Sequence, residues 1–187
     1  MDPDDFEDLN MRYIPGFMPD REEQYITLTS HNNQADQINQ QQLYRLHSAA
    51  FTYQAIIDKE FSENMYPAEA QLELKEGAQV MFLKNDVRRR YFNGKIGQVK
   101  LLEKEKIIVE ADGEEIEVGR ETWENIRYNL NRTDGKLEQE VVGSFTQYPL
   151  RLAWAITIHK SQGLTFNKVM IDAAAAFSSG QVYVALS

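Results

Sequence analysis

Ala155-Ile156-Thr157-Ile158-His159-Lys160-Ser161-Gln162-Gly163-Leu164-Thr165-Phe166, followed by Val169-Met170-Ile171-Asp172 and then Gly180-Gln181-Val182-Tyr183-Val184-Ala185-Leu186-Ser187, is the stretch on which the fold turns. An apolar run ends in a bunch of small polar donors, and Gly163 stops it. Pro149 suits the first turn of a helix. The spacing therefore predicts a helix from there to about Gln162, carrying Leu150, Leu152, Ala153, Trp154, Ala155, Ile156 and Ile158. Residues 166–172 are expected as a buried strand. Residues 173–177 read as a small-residue connection, and 180–187 as the start of another helix.

Working outward, residues 1–23 are polar and broken by Pro3, Pro15 and Pro19, as in a linker or the end of a preceding domain. Tyr25-Ile26-Thr27-Leu28-Thr29 is a short β-prone run, Ser30 is a plausible helix N-cap, and 32–46 reads as a helix. Strand, cap and helix make an α/β unit. Residues 51–61 look β-like, and Tyr66-Pro67 is a break. The character changes after Leu72. Val80-Met81-Phe82-Leu83 is a strand, and Gly94-Lys95 turns into another. Residues 106–110 and 115–118 alternate around Asp112-Gly113, a strong hairpin signal. Residues 123–130 and 140–145 are expected to pair around Asp134-Gly135. Closely spaced short strands predict a small barrel. The order is α/β, barrel, α/β: a discontinuous domain of 24–84 and 146–187 carrying an insert at 85–145.

The chain has 187 residues, 42% hydrophobic and 11% aromatic, enough for a real core. It has no cysteine, which removes disulfides, zinc–thiolate sites and thiol nucleophiles and fits a reducing, cytoplasmic setting. No stretch approaches the roughly 20 apolar residues of a membrane helix, so no membrane partner is expected. The net charge of −9 argues against nucleic acid as a partner. Distribution argues the other way. Basic groups gather at Arg88-Arg89-Arg90 with Lys95 and Lys100, and again at Arg151, His159 and Lys160.

Thr157, His159, Lys160 and Ser161 combine hydroxyls, an imidazole and an ammonium, donors that suit phosphate oxygens. The plain alternative is a solvated helix end with a glycine cap. Arg88-Arg89-Arg90-Tyr91-Phe92-Asn93-Gly94-Lys95 mixes cations with aromatics beside a turn. It is either a nucleic-acid contact using backbone charge and base stacking, or a solvated loop whose aromatics pack inward. Trp123 and Tyr128 are expected in the barrel core, and the acidic run 103–117 on the outer face of a hairpin.

Together these motifs resemble those of superfamily-one helicases. Thr157-x-His159-x-x-Gln162-Gly163-Leu164-Thr165-Phe166 is similar to motif V, in the form used by the RecD-like and PIF-type branch. Residues 180–187 resemble the start of motif VI. Leu28-Thr29-Ser30-His31-Asn32 with Ile38-Asn39 resembles motif IV. Gly77-Ala78-Gln79-Val80-Met81 and Asn93-Gly94-Lys95-Ile96-Gly97 resemble the start of the barrel inserted in the second motor domain. Leu9-Asn10-Met11-Arg12 resembles the link between the two motor domains.

The resemblance implies an α/β fold: a RecA-like second helicase domain of the P-loop NTPase type, with an inserted Src-homology-3-like small β-barrel. It implies an ATP-dependent DNA helicase that grips single-stranded DNA and closes on ATP. The nucleotide and Mg²⁺ would be held by an N-terminal RecA-like domain of the same polypeptide. By the same resemblance Ser30, His31, Asn32, Thr157, His159, Lys160 and Ser161 are DNA-binding candidates. Arg88, Arg89, Arg90 and Lys95 are secondary ones. Gln162, Gly163 and Gln181 belong to the nucleotide cleft, and Tyr183 positions motif VI or sits in the core. The branch generally moves 5′ to 3′. The sequence contains no G-x-x-x-x-G-K-[ST] loop and ends before the arginine that follows the Val-Ala-Leu-Ser of motif VI. The expectation is that these residues alone do not hydrolyse ATP and hold no cofactor. Against the half-motor stands a non-motor nucleic-acid- or protein-binding module with the same fold.

Overall fold

In the computed structural model the described residues are 3–19, 23–130 and 137–172. The first element, α1 (Pro3–Met11), is a helix within the stretch read as a linker or the end of a preceding domain. Proline is well tolerated at a first helical position, so Pro3 opens the helix instead of breaking it.

A parallel sheet forms the base. β1 (Ile26–Thr29) leads into α2 (Asn32–Tyr44). On α2, Ala35, Asn39 and Leu43 are buried at four-residue spacing, one stripe of the helix. The chain then leaves the sheet for more than a hundred residues and returns to it. Its path away runs through β2 (Ala50–Gln54), β3 (Ile56–Lys59), β4 (Gln71–Lys75) and β5 (Gln79–Phe82). It continues through β6 (Ile96–Leu102), β7 (Ile107–Ala111), β8 (Glu114–Val118), β9 (Glu121–Leu130) and β10 (Leu137–Gln147). It ends with β11 (Leu150–Leu152), β12 (Ala155–Thr157), α3 (Ile158–Ser161) and β13 (Val169–Ile171).

The parallel sheet has the order β12-β1-β13. The excursion is antiparallel throughout: β11-β5-β6-β7-β8, β3-β10-β9 and β2-β4. Asp112 and Gly113 both have positive φ, 53° and 80°, which a two-residue turn between β7 and β8 requires. Pairing crosses both expected borders of the insert. β5 is hydrogen-bonded to β6, and β10 runs on to Gln147.

Two cores hold the described residues. The larger lies under the antiparallel strands and contains Leu72, Leu74, Val80, Phe82, Val99, Ile107, Val109, Tyr148 and Leu150. The smaller joins the two sheet systems. Ile26, Leu28 and Ile156 from the parallel sheet and Ile158 of α3 meet Met81 and Ala153, with Leu83, Ile96 and Leu164 packed against them.

The helix expected from Pro149 to about Gln162 is instead two strands and one short helical turn. Its apolar residues are satisfied by strand pairing: Leu150 and Leu152 face Phe82 and Val80, and Ala155 to Thr157 pair with β1. A short buried run carries no periodicity that separates strand from helix. Ser30 also departs from expectation. His31 takes the N-cap position, and the Ser30 hydroxyl is hydrogen-bonded to the His31 ring.

Trp123 does lie against Phe145, ring centroids 6.1 Å apart. Tyr128 is not core. It is 60% exposed, on the part of the β9–β10 ribbon that runs on past β3, which pairs only with Gly143 to Thr146. The turn at Asp134-Gly135, the connection at 173–177 and the run at 180–187 lie outside the described residues.

Candidate nucleic-acid interface

In an open α/β sheet, ligands bind beyond the carboxyl ends of the parallel strands, where successive connections diverge. That edge of β1 and β12 gathers the two polar motifs. Thr29 and Thr157 are register partners, so Ser30-His31-Asn32 and Ile158-His159-Lys160-Ser161 leave the sheet side by side. The first turn of α2 points its backbone N–H groups the same way, with no side-chain cap bond from His31.

The side chains divide into a frame and a surface. Thr157 (4% exposed), Ser30 (6%) and Ser161 (9%) are buried. Ser30 Oγ and His31 Nδ1 are 2.7 Å apart, and Ser161 Oγ donates to the Ile158 carbonyl at 2.7 Å. Thr29 Oγ1 donates to the His31 carbonyl at 3.1 Å. These hydroxyls shape the turns. His31, Asn32, His159, Lys160, Gln162 and Gly163 form the exposed surface. Gly163 has φ +75°, and the Leu164 N–H closes the turn on the Ser161 carbonyl at 3.0 Å.

Lys160 sits in a charged surround. Burial and the Arg151 guanidinium lower its pKa, while Asp36 and Glu69 pull the other way. Burial likewise lowers Arg151, against Glu69 and Asp36. Burial raises Glu69, opposed chiefly by Arg151, although the residue keeps exposed surface.

The basic loop of residues 83–95 splits. The Asp86 carboxylate accepts from Arg90 Nε and Nη2 at 2.9 Å each. Those hydrogen bonds to Arg90 hold the Asp86 pKa down at about 2. Arg90 also donates to the Glu117 carbonyl, and Lys95 pairs with Asp112 at 3.1 Å. Arg90 and Lys95 therefore tie the loop down. Arg88 and Arg89 are exposed beside Val87 and Phe92. The loop meets the motif V turn directly: a Cβ on Gly94 would stand 2.8 Å from Leu164 Cδ2.

Gln181 lies outside the described residues. Among the described residues no cluster of three His, Asp or Glu could hold a metal ion, and none of the helices is long and apolar enough to cross a membrane. Sequence reasoning missed the buried Asn39 and half-buried Gln34 amides that fix this edge. Asn39 locks α2 to β12, and Gln34 donates to Asp172 at 2.6 Å beside β13. Both belong to a helix whose many Gln and Asn residues read as solvent-facing.

No family model matches the chain. The ATP-dependent DNA helicase Pif1 of Campylobacter jejuni is 31% identical over 198 residues, spanning 97% of this chain and 43% of that protein. The structure of unliganded Pif1 from Bacteroides sp. matches with a TM-score of 0.91 at 38% identity, over all of this chain and 43% of that one. Bacteroides Pif1 in complex with ADP-AlF3 and single-stranded DNA matches with a TM-score of 0.76 at 38% identity and the same coverage. The chain spans less than half the length of these relatives. Sequence similarity along nearly its whole length and the shared three-dimensional arrangement agree: the chain belongs to the Pif1-type superfamily-one helicases.

Proposed function

We propose that this chain is the second motor domain of an ATP-dependent DNA helicase, gripping single-stranded DNA along the carboxyl edge of β1 and β12. The observation that carries this is the Thr29–Thr157 register, which sets two motifs from opposite ends of the chain on one edge. Exposed His31, Asn32, His159 and Lys160 supply donors and charge for successive phosphates. Buried Ser30, Thr157 and Ser161 hold the turns that present them. Arg88 and Arg89 extend the track, with Phe92 available for stacking.

In this reading the parallel sheet is the RecA-like part, and β2 to β11 form the inserted barrel, of Src-homology-3 type. By the motifs they belong to, Gln162, Gly163 and Gln181 are assigned to a nucleotide cleft completed by an N-terminal RecA-like domain in a longer polypeptide. That domain supplies the phosphate loop and the Mg²⁺ ligands; ATP bound there drives closure, and translocation runs 5′ to 3′. A cytoplasmic setting fits the absence of cysteine.

The test is fluorescence anisotropy of a labelled single-stranded oligonucleotide against this chain at low and moderate salt. Binding that weakens with salt and prefers single strands to duplex is expected. Equal affinity for duplex, or no binding at low salt, contradicts the proposal.

A further inference from the structure

Arg151 was assigned no role by its motif, and its surroundings are unusual. It lies on β11 between two buried leucines, itself half-buried. Lys160 projects from α3, just past β12. Arg151 pairs across the sheet with Met81, which packs with Ile156 and Ile158 just before Lys160, and its charge opposes that of Lys160. Asp36 and Glu69 offset them, yet neither carboxylate touches them. Among the described residues, neither the Arg151 nor the Lys160 side chain makes a hydrogen bond or an ion pair within 4.0 Å.

The geometry locates this quartet. Asp36 stands one turn before Asn39 on α2, and Asn39 covers Ala155. The Glu69 carbonyl accepts from Gln147 Nε2 at 3.2 Å, four residues before Arg151, so the segments that carry the four groups meet around residues 147–160, beside the Thr29–Thr157 edge. A partly desolvated guanidinium is normally held by hydrogen bonds from an acceptor, because the loss of water must be offset. Here two adjacent cations have carboxylates in the neighbourhood and acceptors at none of their donors. That is a site shaped for an incoming anion. The planar fork of Arg151 suits the paired oxygens of a phosphodiester.

We infer that Arg151 is a further phosphate-binding residue, acting with Lys160 on the strand backbone over the outer edge of β12, and that the charge of the nearby Glu69 carboxylate weakens that binding. The inference rests on the proposed grip of single-stranded DNA and assigns a residue and an opposing group which that grip does not require.

The experiment is anisotropy of a labelled oligothymidylate against the unsubstituted chain, R151M, R151K, E69Q and the E69Q/R151M pair, across a salt series. R151M keeps the aliphatic stem and removes the charge. It should bind about ten-fold more weakly, as expected for one hydrogen bond to a charged group. Its slope of log affinity against log salt should be shallower by about 0.7, the value for one phosphate contact on a single strand. R151K should recover the slope. E69Q should bind more tightly than the unsubstituted chain, and that gain should vanish in the pair. An unchanged slope in folded R151M, with salt-sensitive binding by the unsubstituted chain, overturns the inference and leaves the proposed function standing. If R151M fails to fold, E69Q decides: binding no tighter than the unsubstituted chain overturns the inference. No salt-sensitive binding by the unsubstituted chain overturns both.

Discussion

Asn39 and Ala155, 116 positions apart in the chain, exchange two hydrogen bonds: Asn39 Nδ2 donates to the Ala155 carbonyl at 2.8 Å, and the Ala155 N–H donates to Asn39 Oδ1 at 2.9 Å. β12 is an edge strand of the parallel sheet, so these backbone groups face away from β1. Among the described residues no strand pairs with that side of β12, and the amide takes the place of one. It also fixes the spacing between the α2 turn and the β12 turn that carry the polar motifs.

Asn39→Ala leaves a buried donor and a buried acceptor without partners. Each costs about 1–3 kcal/mol, so the variant should lose about 3 kcal/mol. Urea unfolding followed by circular dichroism reads this as a lower midpoint at unchanged slope. An unmoved midpoint contradicts the role given to Asn39.

Gly94 has φ +95°, and any Cβ there would crowd Leu164 Cδ2 at 2.8 Å. Gly94→Ala should destabilise by about 1–2 kcal/mol from backbone strain alone, with a steric part added. Leu164 is a flexible side chain, so Leu164→Ala in the same chain should relieve the steric part and leave the backbone part. The double-mutant cycle should therefore be non-additive. Simple additivity would mean that the basic loop and the motif V turn are not in contact.

Asp86 has its pKa lowered to about 2 by hydrogen bonds from Arg90, and its side chain is 6% exposed. Its unfolded value is near 3.9. The folded pKa is the lower one, so the stabilisation is full above about pH 4 and is lost as pH falls through about 2. Asp86→Asn should lower stability at pH 7 and flatten the loss between pH 4 and pH 2. A stability profile with the same acid limb in both proteins contradicts the assignment.

His159 and Lys160 are exposed on α3 and make no contact that the fold depends on. Replacing both with alanine should weaken single-strand binding by about ten-fold or more while the circular dichroism spectrum and urea midpoint stay put. Unchanged affinity in the folded double variant removes these residues from the track.

Local signals carried much of the architecture. Tyr25 to Thr29 alternates β-prone residues, a polar run follows, and β1–α2 forms there. Asp112-Gly113 demanded positive φ at two successive positions, and the hairpin formed. Residues 149–162 failed because Leu, Ala and Ile after a proline satisfy helical composition while their partners lie elsewhere. Phe82 and Val80 pair with Leu150 and Leu152, and β1 claims Ala155 to Thr157. The motif residues of 30–32 and 157–161 were legible from their polar bunching. That Ser30, Thr157 and Ser161 would be buried frame was not, because burial depends on which strand lies alongside. Arg90 and Lys95 looked like equal members of a basic loop. Asp86 and Asp112 separate them from Arg88 and Arg89.

The most direct test of the strand grip is hydrogen–deuterium exchange of this chain with and without a single-stranded oligonucleotide. Slowed exchange is predicted in the backbone at residues 29–33 and 157–164 together, because the Thr29–Thr157 edge presents both turns to one strand. Protection confined to the β9–β10 ribbon, or to one of the two turns alone, would contradict it.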